Sequence, residues 1–309
     1  MSDKLTVSVS PHIFSGESST RIMWVVILSL LPAGIAGMVI FGLASLGVIL
    51  VSVGSAVLTE ALIQKLRRAE ITIFDASAAL TGFLLAFCLP PTVPLWLVAV
   101  GAFVAIAIGK QTFGGLGQNI FNPALVGRAF LLAAWPTYMT AWRLPARSVD
   151  AVTSATPLAS SFAGVSYWDL LIGNHGGCLG EVCILALLAG VVFLLIAGYI
   201  SWHIPLSFIA TVGLFTWIFA GENFFSGQWL FHILSGGLIL GAFFMATDYV
   251  TSPLTNKGKL IFGFGCGLFT SVIRIWGGYP EGVCYAILLM NAAAPLIDRY
   301  TKPRRFGVK

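Results

Sequence analysis

Ile22-Met-Trp-Val-Val-Ile-Leu-Ser-Leu-Leu-Pro-Ala-Gly-Ile-Ala-Gly-Met-Val-Ile-Phe-Gly42 is the stretch that decides the fold. It runs without a charge for about 20 residues, the length of helix that crosses the hydrocarbon core of a bilayer. Hydrocarbon offers no hydrogen-bond partner, so the backbone of such a run must bond to itself, and a helix does this within one segment. Comparable runs recur along the whole chain. Allowing for short or tilted segments, about ten spans are expected, near 22–42, 46–64, 75–90, 94–110, 121–135, 180–199, 205–221, 229–246, 259–276 and 281–298. The expected fold is therefore an all-α polytopic membrane protein. A tight glycine-containing turn around Gly42 to Gly47 joins the first two spans. The third and fifth spans are short, and the third begins with Asp75 and ends at Leu89-Pro90-Pro91. Short or broken helices of this kind line a site rather than face lipid.

Composition agrees. The chain has 309 residues, of which 58% are hydrophobic and 9% charged, against about 25% charged in a soluble domain. Its 34 glycines suit close helix packing in lipid. The net charge of +5 does not signal a nucleic-acid partner, because the basic residues fall in short loops between apolar runs. No cleavable signal peptide is expected, since residues 1–20 are polar and the first apolar run is long enough to span.

Lysine and arginine placement sets the orientation. With a cytoplasmic N-terminus, Lys4, Arg21, Lys65, Arg67, Arg68, Lys110, Lys257, Lys259, Arg299, Lys302, Arg304, Arg305 and Lys309 face inward, and only Arg143 and Arg147 face outward. Both termini are then cytoplasmic, and the one long loop, 136–179, is outside. The chain reads as a single integral membrane domain over 1–309. Its parts are a first five-helix half (1–135), the outer loop (136–179) and a second five-helix half (180–309). An odd number of spans per half inverts one half relative to the other, a plan common in transporters. Lys110-Gln-Thr-Phe113-Gly114-Gly115 and Arg274-Ile-Trp276-Gly277-Gly278 end the fourth and ninth spans with the same order: a cation, an aromatic, then Gly-Gly.

Three polar segments could carry chemistry. The first, Asp150-Ala-Val-Thr-Ser154-Ala-Thr156-Pro-Leu158, lies in the outer loop and has the form Asp-x-x-Thr-x-Ala-Thr. Esterifying a hydroxyl with a flavin phosphate needs a reachable strand with small neighbours. Ser154 and Ala155 supply these beside Thr156, and Asp150 could position a metal-bound donor in a transferase. The structural alternative is a helix start, with threonine capping before proline. The second segment is Gly114-Gly-Leu-Gly117-Gln-Asn119-Ile-Phe-Asn122-Pro123-Ala124. Its glycines let the backbone lie flat against a ligand. The amides of Asn119 and Asn122, three residues apart, suit the donors and acceptors on a flavin edge. They equally suit a packed turn that satisfies its own backbone. The third is Ala246-Thr-Asp248-Tyr-Val-Thr-Ser-Pro253. Asp248, with Asp75 and Asp298 near other inner helix ends, is a candidate for ion coupling, the alternative being a solvated helix end. Arg128 and Arg274 fall within spans and need an anionic partner. The cysteines Cys88, Cys178, Cys183, Cys266 and Cys284 are scattered, and no metal centre is expected of them. No catalytic residue is expected either.

Taken together, these motifs resemble the D-subunit family of the Rnf electron-transport complexes and their relative, the B subunit of sodium-pumping NADH:quinone oxidoreductase. The similarity runs from Ser10-Pro11-His12 through the Gly-Gly-Leu-Gly-Gln-Asn-Ile-Phe-Asn-Pro run to Thr-Asp-Tyr-Val-Thr-Ser-Pro. The length fits the Rnf family member, because the quinone-reductase relative has a longer N-terminal extension. The resemblance implies covalent FMN on Thr156 and a second, non-covalent flavin, riboflavin, near the inner side. Gly117, Asn119, Asn122 and Pro123 match the run that holds the second flavin. It also implies a flavinylated outer-face partner subunit, iron–sulfur membrane subunits, and a bacterial cytoplasmic membrane. The implied complex moves electrons between ferredoxin and NAD and couples this to Na+ or H+ transport. One departure is Ser154, which stands where the attachment signal usually has glycine; serine is small enough to keep the strand accessible. The competing reading is an inverted-repeat solute channel or transporter resembling urea channels.

Overall fold

The computed structural model describes residues 17–143, 153–154, 158, 166–181, 183–221, 223–277 and 281–303. Its first half contains α1 (Ser19–Phe41), α2 (Leu43–Leu66), α3 (Ser77–Phe87), α4 (Leu95–Ala107) and α5 (Pro123–Ala134). Two short helices follow, α6 (Pro136–Met139) and α7 (Tyr167–Ile172). The second half contains α8 (Ile184–Ile196), α9 (His203–Phe219), α10 (Trp229–Leu234), α11 (Leu238–Leu240), α12 (Asn256–Trp276) and α13 (Val283–Thr301). A π-helical turn, Gly241–Met245, continues α11. The only strands among the described residues are β1 (Trp142–Arg143) and β2 (Thr153–Ser154), paired antiparallel. The fold is all-α and polytopic.

Four helical stretches are long and apolar enough to span: Ser19–Phe41, Leu43–Leu66, Leu95–Phe113 and Asn256–Trp276. The outward faces of the first two carry Leu28, Ile35, Val39, Leu50, Leu58 and Leu62, all exposed. Such a belt is costly in water and at home in lipid. The shorter helices are held inside. Every residue of α3 except Ala79 and Leu80 is buried.

Several expectations are sharpened. The turn between the first two spans is a single residue, Gly42 at φ +79°, and α2 starts immediately after it. This left-handed backbone suits glycine, which has no Cβ to clash. The loop 136–179 is partly structured, with α6, α7 and a segment that re-enters the bundle. There Gly180 N–H donates to Phe87 O (2.8 Å) and Leu179 N–H to Leu89 O (3.3 Å), capping the buried end of α3.

The packing order recurs in the two halves. In the first, α2 packs on α3 and α4, and α4 on α5; in the second, α9 packs on α10 and α12, and α12 on α13. The halves meet through their first helices, α1 against α8, and their last, α5 against α13. Gly190 makes the first of these contacts possible: a Cβ there would lie 2.1 Å from the Ser29 carbonyl. The third element of each half is broken. A 3-10 turn, Ile73–Asp75, and left-handed Ala76 precede α3; Ser235 and the left-handed Gly236 and Gly237 separate α10 from α11.

Candidate functional site

A cleft opens at the end of the bundle that carries the termini, where Tyr199 Oη donates to Glu17 (2.9 Å) and Tyr249 Oη to the Tyr199 carbonyl. It offers about 100 Å³ of water-accessible space, and its walls come from both halves. Asn119, Asn122 and Pro123 contribute from the first, and Phe243, Thr247 and Asp248 from the second.

Local rules explain how these residues are placed. Asn122 is the N-cap of α5, its Oδ1 accepting from Ala124 N (3.1 Å) and Leu125 N (3.4 Å), with Pro123 in the first turn. Its Nδ2 donates to Met245 O (3.2 Å), at the end of the π turn. The Asn122 amide therefore ties the two halves together and walls the cleft rather than presenting free hydrogen-bonding groups. Asn119 is buried and donates to the Phe121 carbonyl (3.1 Å). Gly117, at φ +87°, shapes the exposed turn before them and is not part of the cleft wall.

Asp248 accepts from Val250 N–H (3.4 Å) and Thr251 Oγ1 (3.1 Å). Burial raises its carboxyl above the ordinary carboxylate range, and these two donors act in the opposite direction. Asp298 lies elsewhere, accepting from Leu254 N–H (3.0 Å) near the end of α13. Asp75 accepts from Ser77 N–H (2.8 Å) and Ser77 Oγ (2.6 Å). The three acids are thus not one cluster: Asp248 is at the cleft, Asp75 reaches it through Ser77, and Asp298 braces a turn.

Asp75 leads to residues that sequence reasoning missed. Lys110, expected to face the cytoplasm at the inner end of the fourth span, is 2% exposed and donates to both oxygens of Glu60 on α2 (2.7 and 3.0 Å) and to Ser77 Oγ (2.5 Å). Gln111 Nε2 also donates to Glu60 (2.8 Å). A lone acid in an otherwise apolar helix was the available signal, because such an acid needs a buried cation. Lys110 and Asn119 both line the cleft, so this network forms part of its floor.

Arg128 has the anionic partner expected of an intramembrane arginine, whereas Arg274 is satisfied by backbone carbonyls instead. Arg128 pairs with Glu281, and its Nη2 also approaches Cys178 Sγ at 3.8 Å. Arg274 donates to the carbonyls of Ser235 (3.0 Å), Gly236 (3.2 Å) and Glu281 (3.2 Å). The matched sequence patterns thus have matched roles. Lys110 and Arg274, at the end of the fourth helical element of each half, both reach the break in the third.

Thr156 and Asp150 lie outside the described residues, as does the side chain of Ser154. The backbone of Ser154 pairs with Trp142. Leu158 packs over Gly236, where a Cβ would lie 2.4 Å from its Cδ1 and 2.7 Å from Arg274 Nη2. The described residues nearest to Thr156 in the chain are thus held in place, Ser154 by β1 and Leu158 against Gly236.

The chemistry of the cleft suits a flavin. It offers apolar walls from Leu80, Leu84 and Phe244 with a few amide, hydroxyl and carboxyl groups at its edges. Comparison with known proteins gives the setting. The family model described as "NQR2, RnfD, RnfE family" matches residues 6–307. A relative from Clostridium ljungdahlii, named as the D subunit of a proton-translocating ferredoxin:NAD(+) oxidoreductase complex, is 50% identical over 319 residues, covering 98% of this chain and 96% of its own. One from Acetobacterium woodii, named as the D subunit of a Na(+)-translocating ferredoxin:NAD(+) oxidoreductase complex, is 51% identical over 312 residues with the same coverage. An Escherichia coli relative, named as the D subunit of an ion-translocating oxidoreductase complex, is 39% identical over 346 residues, covering 97% and 98%.

Proposed function

This chain belongs to the NQR2, RnfD, RnfE family, and on that premise we propose that it is the electron-carrying membrane subunit of an ion-translocating ferredoxin:NAD oxidoreductase complex. The observation that carries the reading is near-full-length identity to relatives bearing that name. In this reading the chain is multi-pass in the bacterial cytoplasmic membrane, with both termini cytoplasmic. Its partners are the other subunits of the complex, including a flavinylated outer-face subunit and iron–sulfur membrane subunits.

FMN is attached through its phosphate to Thr156 on the outer side, and riboflavin occupies the cleft walled by Asn119, Asn122 and Pro123. Bound there, the two flavins supply redox carriers on opposite sides of the bundle. The residues of the chain hold that arrangement. Asn122 fixes the cleft wall by joining α5 to the π turn. The Glu60–Lys110 pair keeps the floor polar without free charge. Asp248 places a carboxyl that is readily neutralised at the cleft edge, where a cation could balance charge moving through an apolar interior.

The test is direct. A denatured gel band of the purified chain should fluoresce as a flavoprotein, and Thr156→Ala should abolish this without loss of protein. Covalent flavin persisting in that variant would overturn the assignment of Thr156.

A further inference from the structure

Buried polar atoms without a partner are rare, and each needs a physical explanation. Among the described residues, four of them gather around the re-entrant loop 174–181, and none of the four residues lines the cleft: Glu181 Oε1, Glu281 Oε1, Arg128 Nε and His175 Nε2. Glu181 is only 7% exposed and His175 4%. Each carboxylate has one satisfied oxygen. Glu181 Oε2 accepts from Cys178 N–H (3.3 Å), and Glu281 Oε2 pairs with Arg128. Oxygens of the two carboxylates and Cys178 Sγ lie within 4.8 Å of one another. His175 stands against the same glycine as Glu181: a Cβ at Gly177 would lie 3.0 Å from Glu181 Oε2 and 3.5 Å from the His175 ring.

We propose that Glu181 and Glu281 form a binding site for one proton, shared across the unpartnered oxygens of the two carboxyls. Two buried carboxylates this close repel when both are ionised, and a proton on one of them removes that repulsion and turns an acceptor lacking a donor into a donor.

The surroundings favour a proton over a metal ion. The Cys178 thiol donates to the Cys88 carbonyl (3.2 Å), so its sulfur is neutral, and a neutral thiol is a poor metal ligand. The thiols of Cys88 and Cys284 contact Met245 Sδ and the Leu125 carbonyl. With Arg128 and Arg274 both charged, the cluster is neutral when both glutamates are ionised, so uptake of a proton leaves it with one positive charge. Arg274 also approaches the backbone carbonyl of the titratable His232. A cavity of about 40 Å³ lined by Arg128, Met139, Trp142, Glu281 and Tyr285 reaches the site from beneath β1. That exceeds the roughly 10–15 Å³ a water requires, so there is room beside Glu281 for a water that could deliver the proton.

Placing this site in ion movement rests on the function proposed above. A negative charge arriving on a nearby carrier would offset the positive charge that protonation leaves, so electron arrival and proton uptake would favour each other.

Infrared difference spectroscopy of the intact purified complex tests the site. A pH titration is expected to show a protonated-carboxyl band that shifts on exchange into D2O and is lost in Glu181→Gln. Should that variant fail to assemble, Glu181→Asp is expected to shift the band rather than remove it. The proposal is overturned if the band is absent, or if it survives unchanged in Glu181→Gln. It is also overturned if elemental analysis finds a stoichiometric metal that this substitution removes, or if the band answers to Na+ and not to pH. Flavin fluorescence of the same preparations separates the two readings. A parent without covalent flavin contradicts the proposed function and leaves the proton site standing. A fluorescent parent without the carboxyl band contradicts the proton site alone.

Discussion

At the scale of single residues, buried polar groups are decided by their partners. Glu60 and Lys110 are 1% and 2% exposed, so each is tolerable only because the other is present. Breaking such a pair strands a charge, at a cost of about 3–5 kcal/mol. Glu60→Gln is therefore expected to lower the melting temperature of the purified protein sharply, and the double variant Glu60→Leu/Lys110→Met should recover most of the loss. Asp248 makes a pH-dependent contribution. Its raised carboxyl holds a proton more tightly folded than unfolded, so its stabilisation is present at low pH and fades as pH rises through the raised value. Melting curves from pH ~4 upward should show this slope in the parent and a flatter one in Asp248→Asn. Asp248, Asp75 and the two asparagines were legible in the sequence as polar groups among apolar ones. Glu60 stood out in the same way, but its partner and that of Glu181 were not legible, because they lie 50 and about 100 residues away in the chain. No local pattern reports such pairings.

At the scale of elements, packing depends on where the backbone can approach. α1 and α8 join the two halves, and Gly190 is the point of closest approach, with Ser29 O 2.1 Å from a hypothetical Cβ. Gly190→Val must push the helices apart, at a cost of about 1–3 kcal/mol. The expected result is a lower melting temperature and faster proteolysis between the halves; an unchanged protein would remove this contact from the account. The broken third elements show the limit of reading spans by hydropathy. The run at 229–246 was legible as apolar, yet it contains a helix, a left-handed break and a π turn. Gly236 and Gly237 permit that break, and carbonyls released there are taken up by Arg274.

At the scale of the whole molecule, loop charge predicts orientation and the bundle predicts which loops share an end. Contacts among Glu17, Tyr199 and Tyr249, and between Leu254 and Asp298, gather at one end. The re-entrant segment caps the opposite, buried end of α3. Reporter fusions in cells should therefore show both termini cytoplasmic, while a protease site inserted between Arg143 and Asp150 should be cut only from outside. Cleavage of that site from the cytoplasmic side would reverse the topology.

The sequence by itself determined the solvent and the class of fold. Charge-free runs about 20 residues long can lie only in lipid as helices, and the order of such runs is a one-dimensional fact. It also carried the family motifs, because those are contiguous. The tertiary structure decided what required distant segments to meet. It turned the Asn122 amide into a strut between halves, drew Lys110 from the inner end of the fourth span into a buried ion pair, and brought Glu181 from a re-entrant loop to Glu281 beside α13. The physical reason is shared by all three. A buried polar group is stable only with a partner, and the partner is chosen by how the helices pack, not by its neighbours in the chain.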